Sequence, residues 1–409
     1  MSVEALKCKE CGSRYPLDAR YACETCWGPL EVVYDFTSLD PESARRRIQA
    51  GPHSLWRYAD FLPFESPPRT ALPAGMTPLV RADRLAQRLG LREVWVKNDA
   101  ANPTHSFKDR VVSVALPKTC ELGYDVLACA STGNLANAVA AHAAANGFES
   151  YVFVPSDLEE QKILATGVYG TNLVSVRGSY DDVNRLCTQL ADEREWAFVN
   201  VNLRPYYAEG SKTLAYEVAE QLGFELPDRV VVPIASGSLF TKVARGFDEW
   251  RSLGLLEGDA PAFNGAQAVG CSPVAQAYEA GRDVCRPVKP TGIAKSLAIG
   301  DPADGPYALE LARRSGGAID AVDDQEIRDG IRLLAETTGI FTETAGGTTT
   351  AVLKKLAERG DINGDERVVL VITGEGLKTL DAVRDTFDVH EIDPTVGSFS
   401  DAFASPQAV

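Results

Sequence analysis

The sequence is short of basic charge and has no long apolar run. Its 409 residues include 41 Lys and Arg against 57 Asp and Glu, which gives a formal net charge of −16. Such an acidic chain is not expected to bind nucleic acid or anionic membranes through its overall field. No apolar run is long enough to cross a membrane, and the polar start, MSVEALKCKECG, lacks the pattern of a secretory signal. We therefore expect a cytoplasmic protein with neither nucleic-acid nor membrane partners.

The cysteines do not have the spacing of a disulfide framework. There are nine of them, an odd number, and five are scattered through apolar segments. This distribution is typical of a protein from a reducing compartment. The other four form two closely spaced pairs near the N-terminus, Cys8-x-x-Cys11 and Cys23-x-x-Cys26.

These two pairs predict a zinc site, because four thiolates at this spacing can close a tetrahedral coordination sphere: Cys8, Cys11, Cys23 and Cys26. In so short a module, bound zinc would supply most of the folding free energy, on the order of 10 kcal/mol. The alternatives are a reduced, metal-free knuckle or disulfides formed during isolation. Few basic residues lie beside the cysteines, so we predict a structural zinc ribbon over residues 1–36.

Apolar strand-like runs alternate with amphipathic helical runs from about Val94 onward. The alternation predicts parallel sheets covered by helices. The predicted elements include strands Phe198–Asn202 and Ala266–Gly270 and a helix Thr348–Glu358. We predict an α/β fold with two three-layer, parallel-sheet domains besides the ribbon. The predicted divisions are an arm and first part of the large domain at 37–97, a small α/β domain at 98–205, the large α/β domain at 206–388 and a tail at 389–409.

One lysine lies in a segment that suggests chemistry. Lys108 occupies the turn of Asn98–Arg110, NDAANPTHSFKDR, between a strand-like run and a helical run. The positive end of the helix dipole and the neighbouring Arg110 both disfavour its protonation. An amine kept free at neutral pH is what Schiff-base chemistry requires. The alternative is an ordinary surface lysine near the start of a helix.

Three short turns rich in small residues each follow an apolar strand: Ser131–Asn134, Ala235–Ser238 and Thr373–Gly376. Ligands of open α/β sheets bind at the carboxyl ends of strands, where such turns collect. The amino end of a helix can hold a phosphate or carboxylate through backbone N–H groups, so an acidic protein can still bind anions. The alternative for each turn is a tight bend that needs glycine for its geometry.

Taken together with Lys108, these turns resemble the threonine synthase family, in the tryptophan-synthase-β-like group (fold type II) of pyridoxal-phosphate enzymes. The matching segments run in order from about Trp56 to Thr379: NPTHSFKDR, ASTGN, SGSL, YAEGSKTLAYE, AKSLAIGDP and TGEGLK. Some members of the family also begin with a four-cysteine module. The resemblance implies a homodimer with pyridoxal 5′-phosphate bound between the two α/β domains.

The resemblance also implies roles for individual residues. Lys108 would hold the cofactor covalently and move protons at Cα and Cβ of the substrate. The other implied cofactor contacts are Asn134 at the 3′-oxygen, Ser236, Gly237, Ser238 and Leu239 at the phosphate, and Thr373 at the ring nitrogen. A hydroxyl beside the ring nitrogen cannot keep the ring protonated as a carboxylate would. The cofactor would therefore be a weaker electron sink. The implied contacts to the substrate carboxylate are Ser131, Thr132 and Gly133.

A phosphorylated substrate also needs a second anion site. Arg204 follows a strand end just before YYAEGSKT and, with Asn200 and Asn202, is the candidate for the substrate phosphate. Thr104 and Ser106 could add hydroxyl donors. The alternative for Arg204 is a surface salt bridge.

Two departures from the family pattern lie close to the expected phosphates. Ala-Ser-Gly-Ser-Leu stands where many members have Gly-Asn-x-Gly-Asn, and His105 stands where many have glycine. His105 either touches substrate or caps the loop.

The activity implied is a β,γ-replacement that converts O-phospho-L-homoserine and water to L-threonine and phosphate. The alternatives are a phosphoserine-dependent β-replacement enzyme of the cysteate synthase kind, a threonine or serine dehydratase, and a zinc-ribbon binding protein on an inactive scaffold.

Overall fold

A computed structural model describes residues 2–65, 72–131 and 133–403. The described strands are β1 Ser2–Cys8, β2 Arg14–Tyr15, β3 Leu30–Asp35, β4 Leu79–Arg81, β5 Glu93–Asn98, β6 Val126–Ala130, β7 Glu149–Pro155, β8 Asn172–Val176, β9 Ala197–Phe198, β10 Arg229–Pro233, β11 Ala262–Ala268, β12 Ile319–Val322 and β13 Arg367–Ile372. The described α-helices are α1 Pro41–Ala50, α2 Asp83–Leu89, α3 Lys108–Glu121, α4 Asn134–Asn146, α5 Glu160–Gly167, α6 Tyr180–Glu193, α7 Arg204–Glu209, α8 Lys212–Gln221, α9 Ser238–Ser252, α10 Pro273–Glu279, α11 Gly305–Arg314, α12 Asp324–Thr338, α13 Thr344–Arg359 and α14 Val396–Ala402.

The strands form three sheets. A small antiparallel sheet, in the order β2-β1-β3, makes up the N-terminal module. A four-stranded sheet, β8-β7-β6-β9, is parallel throughout. A six-stranded sheet has the order β12-β11-β10-β13-β5-β4 and is parallel except for the edge strand β4, which runs antiparallel to β5. The predicted α/β fold with parallel sheets is confirmed, and the antiparallel edge is an addition to it. The division into domains stays a prediction.

Helices cover both faces of the six-stranded sheet because its strands are apolar on both sides. In β13, Val369 and Val371 pack into a core with α8, α9 and α11. The alternate residues Val368, Leu370 and Ile372 pack into a second core with α2, α12 and α13. Side chains of a strand alternate between faces, so a continuous apolar run builds two cores at once.

Some predicted boundaries were wrong. The strand predicted at Phe198–Asn202 ends at Phe198, because the chain turns back there and Val201 N–H bonds to Phe198 O at 3.0 Å. The strand predicted at Ala266–Gly270 is Ala262–Ala268. Helix α13 begins at Thr344, four residues before the predicted Thr348. Glycines 346 and 347 hid its first turn; Gly347 is needed there because a Cβ would lie 2.6 Å from Ile327 O of α12.

Among the residues described, no helix combines the length and apolar character needed to cross a membrane. The cytoplasmic location stays a prediction.

Candidate active site

A cavity of about 330 Å³ lies between the four-stranded and six-stranded sheets. Ala130, at the end of β6, lines one side, and Pro233 and Thr373, at the ends of β10 and β13, line the other. The cavity therefore lies at the carboxyl ends of strands from both sheets, where open α/β folds bind their ligands.

Lys108, the first residue of α3, lines this cavity. Its Nζ donates a hydrogen bond to Tyr207 Oη at 2.9 Å. Burial lowers the pKa of Lys108 to about 8, and the nearby Glu343 opposes that shift. The pKa moves in the predicted direction, but Arg110 is not its cause. The Arg110 side chain is fully buried and paired with carboxylates away from Lys108.

A buried polar cluster lies beside this lysine. Asn134 Nδ2 donates to both carboxylate oxygens of Glu343, at 2.8 and 3.0 Å. Lys378 Nζ donates to Asn134 Oδ1 at 3.0 Å and to Thr104 O at 2.6 Å. Burial lowers the pKa of Lys378 to about 8 as well. The amide of Asn134 is thereby fixed in one orientation, between a carboxylate and an amine.

The turn before α9 has the form of an anion cradle. Ser236, Gly237, Ser238 and Leu239 all line the cavity, and α9 is 15 residues long. Gly237 has φ +94°, and a Cβ there would lie 2.8 Å from Asp304 O. The first N–H groups of a helix have no partner within it and can hold an anion. The turn therefore offers backbone donors to the cavity, and a side chain at position 237 would clash with Asp304.

The turn before α4 is also tight. Ser131 Oγ accepts hydrogen bonds from Gly133 N at 3.0 Å and from Ala136 N at 2.8 Å. Gly133 has φ +123°, and the Lys162 side chain fills the space that a Cβ would need. Ser131 and Asn134 line the cavity, whereas Gly133 is not among its lining residues. Thr132 lies outside the described residues.

The turn after β13 pairs with the loop that precedes Lys108. Phe107 N donates to Thr373 O at 2.9 Å, and Glu375 N donates to His105 O at 3.1 Å. The Glu343 carboxylate fills the space beside Gly374, so a larger residue does not fit there. His105 itself is exposed and has φ +60°. Glycine adopts that conformation most easily, so a glycine at position 105 would be less strained than histidine. The loop interpretation of His105 is the one that this geometry supports.

The candidate phosphate residues do not all reach the cavity. Arg204 lines it, with its Nη2 2.5 Å from Asp304 Oδ2. Asn200 also lines it, with its amide bonded to the backbone of Ala130. Three other candidates, within the part of the chain described, are not in the lining: Thr104, Ser106 and Asn202.

The side chains of Thr104 and Asn202 bond to nearby residues of the chain, whereas that of Ser106 bonds to none of the described residues. Thr104 Oγ1 donates to Asp109 Oδ2 at 2.9 Å, and Asn202 Nδ2 donates to Trp196 O at 2.9 Å. Ser106 Oγ is buried without a hydrogen-bond partner among the described residues. These contacts do not support the expectation that Thr104 and Asn202 hold a ligand, and the role of Ser106 stays a prediction.

The four N-terminal cysteines converge. Their Sγ atoms all lie within 4.8 Å of one another, and the pairs Cys8–Cys26 and Cys11–Cys23 are 3.5 Å apart. Four thiolates at about 2.3 Å from one zinc ion would be separated by roughly 3.8 Å. The donor set and its spacing therefore fit a tetrahedral zinc ion.

Comparison with known proteins identifies the family. Residues 70–374 match the family described as pyridoxal-phosphate dependent enzyme. The chain belongs to this family. A threonine synthase of Methanocaldococcus jannaschii is 37% identical, covering 92% of this chain and 93% of that protein. A threonine synthase of Methanosarcina acetivorans is 36% identical over 96% of this chain and 95% of that protein. The resemblance to threonine synthases is confirmed.

Solved structures support the fold. An L-serine ammonia-lyase from Rhizomucor miehei superposes with a TM-score of 0.66 at 22% identity, covering 78% of this chain and all of that chain. The cofactor of this enzyme family is pyridoxal phosphate, and the cavity with Lys108, the α9 cradle and Thr373 has the groups to hold it.

Sequence reasoning missed two residues of this pyridoxal-phosphate site. Tyr207 lies inside the YYAEGSKT motif, and its position three residues after Arg204, one turn along a helix, could have singled it out. Glu343 lies 209 residues from Asn134, and no spacing rule connects the two. Only the three-dimensional arrangement brings them together.

Proposed function

We propose that the protein is a threonine synthase that converts O-phospho-L-homoserine and water to L-threonine and phosphate. The observation that carries this proposal is the match to curated threonine synthases over more than 90% of the chain. The cavity supports it, because it combines a lysine of lowered pKa with separate groups suited to two anions.

In this proposal the cofactor occupies the cavity between the two sheets. Lys108 would hold it covalently, the backbone of Ser236–Leu239 would hold its phosphate, and Asn134 and Thr373 would hold its ring. Bound there, pyridoxal phosphate supplies an electron sink for C–H bonds broken next to the substrate amine. Glu343 and Lys378 keep the Asn134 amide oriented for that contact.

The substrate anions would bind to other residues of the cavity lining. Ser131, at the amino end of α4, is placed to hold the carboxylate with the backbone beside it. Arg204 is the group for the substrate phosphate, assisted by Asn200. A phosphate arriving there competes with Asp304 for the guanidinium, and its double charge and extra oxygens favour the exchange.

Lys108 also moves protons. With a pKa of about 8, its amine can take up and release a proton near neutral pH without a large energetic penalty. The hydrogen bond to Tyr207 Oη fixes the direction in which Nζ points. Tyr207 is thus a positioning residue for the catalytic lysine.

The decisive experiment measures phosphate release from O-phospho-L-homoserine and from O-phospho-L-serine side by side. We expect the first to be strongly preferred and threonine to accumulate with the phosphate. Equal or reversed preference would remove threonine synthase and favour a phosphoserine-dependent enzyme. In parallel, Lys108→Ala should abolish both the yellow colour of the purified protein and its activity. Retained cofactor absorbance in that variant would contradict the role of Lys108.

We further propose that the cysteine module binds structural zinc and that the protein is a homodimer. Metal analysis should give one zinc per chain in the wild type and markedly less in Cys23→Ser; an unchanged metal content would contradict the site. Light scattering on the purified protein gives the oligomeric state directly.

A further inference from the structure

The short helix α7 carries two residues into the cavity, Arg204 and Tyr207. It packs closely on α3, which begins at Lys108. Just after α7, a Cβ on Gly210 would lie 2.6 Å from both Arg110 O and Val111 Cα of α3. The position of α7 therefore determines whether Tyr207 Oη lies within hydrogen-bonding distance of Lys108 Nζ.

A helix of six residues is not stable by itself and depends on its neighbours. The N-terminal module provides two of the contacts that hold α7. Tyr34 Oη, from β3, donates to Glu209 Oε2 at 2.7 Å, and Tyr206 Oη donates to Asp18 O of the module at 2.9 Å. Apolar residues of the module, including Leu6 and Val32, share one core with Tyr206 and Tyr207.

The module also reaches the cavity directly. Tyr21 is one of the lining residues, and it packs against the apolar cluster that contains Val201. Asp18 and Tyr21 both lie on the loop between the two cysteine pairs. Asp18 and Tyr21 therefore lie on a segment that the cysteine cluster holds at both ends, and Tyr34 follows that cluster on β3.

We propose that the N-terminal module is a positioning element of the active site. Its Tyr34 bonds to Glu209 of α7, and Tyr206 of α7 bonds back to Asp18 of the module; these two contacts hold α7 against the catalytic lysine. Tyr21 completes the wall of the cavity. This inference rests on the catalytic role proposed for Lys108. A module that only caps the fold would stabilise the protein without controlling the local opening of α7.

Hydrogen–deuterium exchange of the full-length, cofactor-loaded protein separates these two roles. Tyr34→Phe and Tyr206→Phe each remove one hydroxyl from the contacts of α7. Glu209 keeps Lys212 at 2.6 Å and Lys242 at 2.5 Å, so its charge stays compensated in Tyr34→Phe. We expect amide exchange of α7 to accelerate on the order of tenfold in each variant. We also expect kcat to fall while KM for the substrate changes less.

The matched control is Tyr307→Phe. Tyr307 lies on α11, and its hydroxyl bonds to Glu10 of the same module rather than to a residue of α7. Exchange of α7 should stay at the wild-type rate in this variant. Unchanged exchange of α7 in both Tyr34→Phe and Tyr206→Phe, or an equal increase in Tyr307→Phe, would overturn the proposal. Exchange is measured without substrate, so this outcome is independent of which substrate the enzyme uses.

Discussion

Glu217 on α8 is the residue whose replacement should damage the framework of the site most. Its carboxylate is fully buried and accepts from Arg110 Nη1 at 2.5 Å, Arg110 Nη2 at 2.7 Å and Lys97 Nζ at 2.7 Å. It also accepts from Met76 N at 2.7 Å. Arg110 lies two residues after Lys108, so this network fixes the start of α3 to β5 and α8. In Glu217→Gln an amide NH₂ would face donors only.

The magnitude follows from the charge on this carboxylate. Burial alone would raise the pKa of Glu217, but Arg110 and Lys97 outweigh it and lower the pKa from 4.5 to about 2. At about 1.36 kcal/mol per unit, this corresponds to a contribution of about 3 kcal/mol to the free energy of unfolding at pH 7. Removing one partner from a buried ionic network costs roughly 3–5 kcal/mol. Both routes give a loss of about 3 kcal/mol or more.

Urea unfolding followed by circular dichroism measures this loss. With an m value of roughly 3 kcal/mol per molar urea, the midpoint of Glu217→Gln should fall by about 1 M. The control is Glu225→Gln, which removes a carboxylate that also pairs with an arginine but is 63% exposed. That variant should lose less than about 1 kcal/mol.

The pH dependence gives a second check on Glu217. Its pKa is lower in the folded protein than in the unfolded chain. Its stabilisation is therefore complete above about pH 4.5 and is lost as the pH falls towards 2. The difference in the free energy of unfolding between wild type and Glu217→Gln should accordingly become smaller below pH 4.5. The reasoning would be refuted if Glu217→Gln lost no more unfolding free energy at pH 7 than Glu225→Gln. It would also be refuted if the stability difference between Glu217→Gln and wild type did not change with pH.

Three further outcomes are expected. Gly237→Ala should weaken pyridoxal-phosphate binding on the order of tenfold or more, because the new Cβ would lie 2.8 Å from Asp304 O. Equilibrium dialysis measures this affinity, and an unchanged value would contradict the role of this turn in holding the cofactor phosphate. His105→Gly should leave phosphate release unchanged and the free energy of unfolding within about 1 kcal/mol, whereas lost activity would make His105 a substrate contact. The rate at which apoenzyme takes up the cofactor, followed by absorbance, should rise with pH through about 8, because only the free amine of Lys108 reacts; a midpoint near 10 would contradict its lowered pKa.

The sequence contained enough information to predict the fold class and the loops around the cavity. Lys108 and the turns at Ser131, Gly237 and Thr373 follow apolar strands, and the ends of neighbouring parallel strands meet at one edge of a sheet. A strand and the turn that follows it are adjacent in the sequence, so they can be recognised without knowing the tertiary structure. The glycines of these turns are required for steric reasons: the backbone has a positive φ, or there is no room for a Cβ atom. The clustering of small residues in the sequence already suggests such a requirement.

The side-chain contacts could not be predicted in the same way. Asn202 and Thr104 are polar and lie near the site in sequence, but their side chains bond to their own loops at 2.9 Å. Nothing in a sequence distinguishes a polar side chain used locally from one free for a ligand. The cause of the lowered pKa of Lys108 was likewise misjudged, because burial depends on neighbours that are distant in sequence, such as Tyr207 on α7.

The acidity of the chain and its proposed affinity for two phosphates are compatible because of how the cavity is built. In the proposed site, backbone N–H groups at the amino ends of α9 and α4 would hold the cofactor phosphate and the substrate carboxylate. Arg204 is paired with Asp304, whose own N–H bonds to Ser236 O of the cofactor cradle at 2.9 Å. In the proposed site, a substrate phosphate that binds Arg204 would therefore displace Asp304 next to the residues proposed for the cofactor phosphate. The two anion sites share one wall, and a ligand without a phosphate would leave the Arg204–Asp304 pair closed.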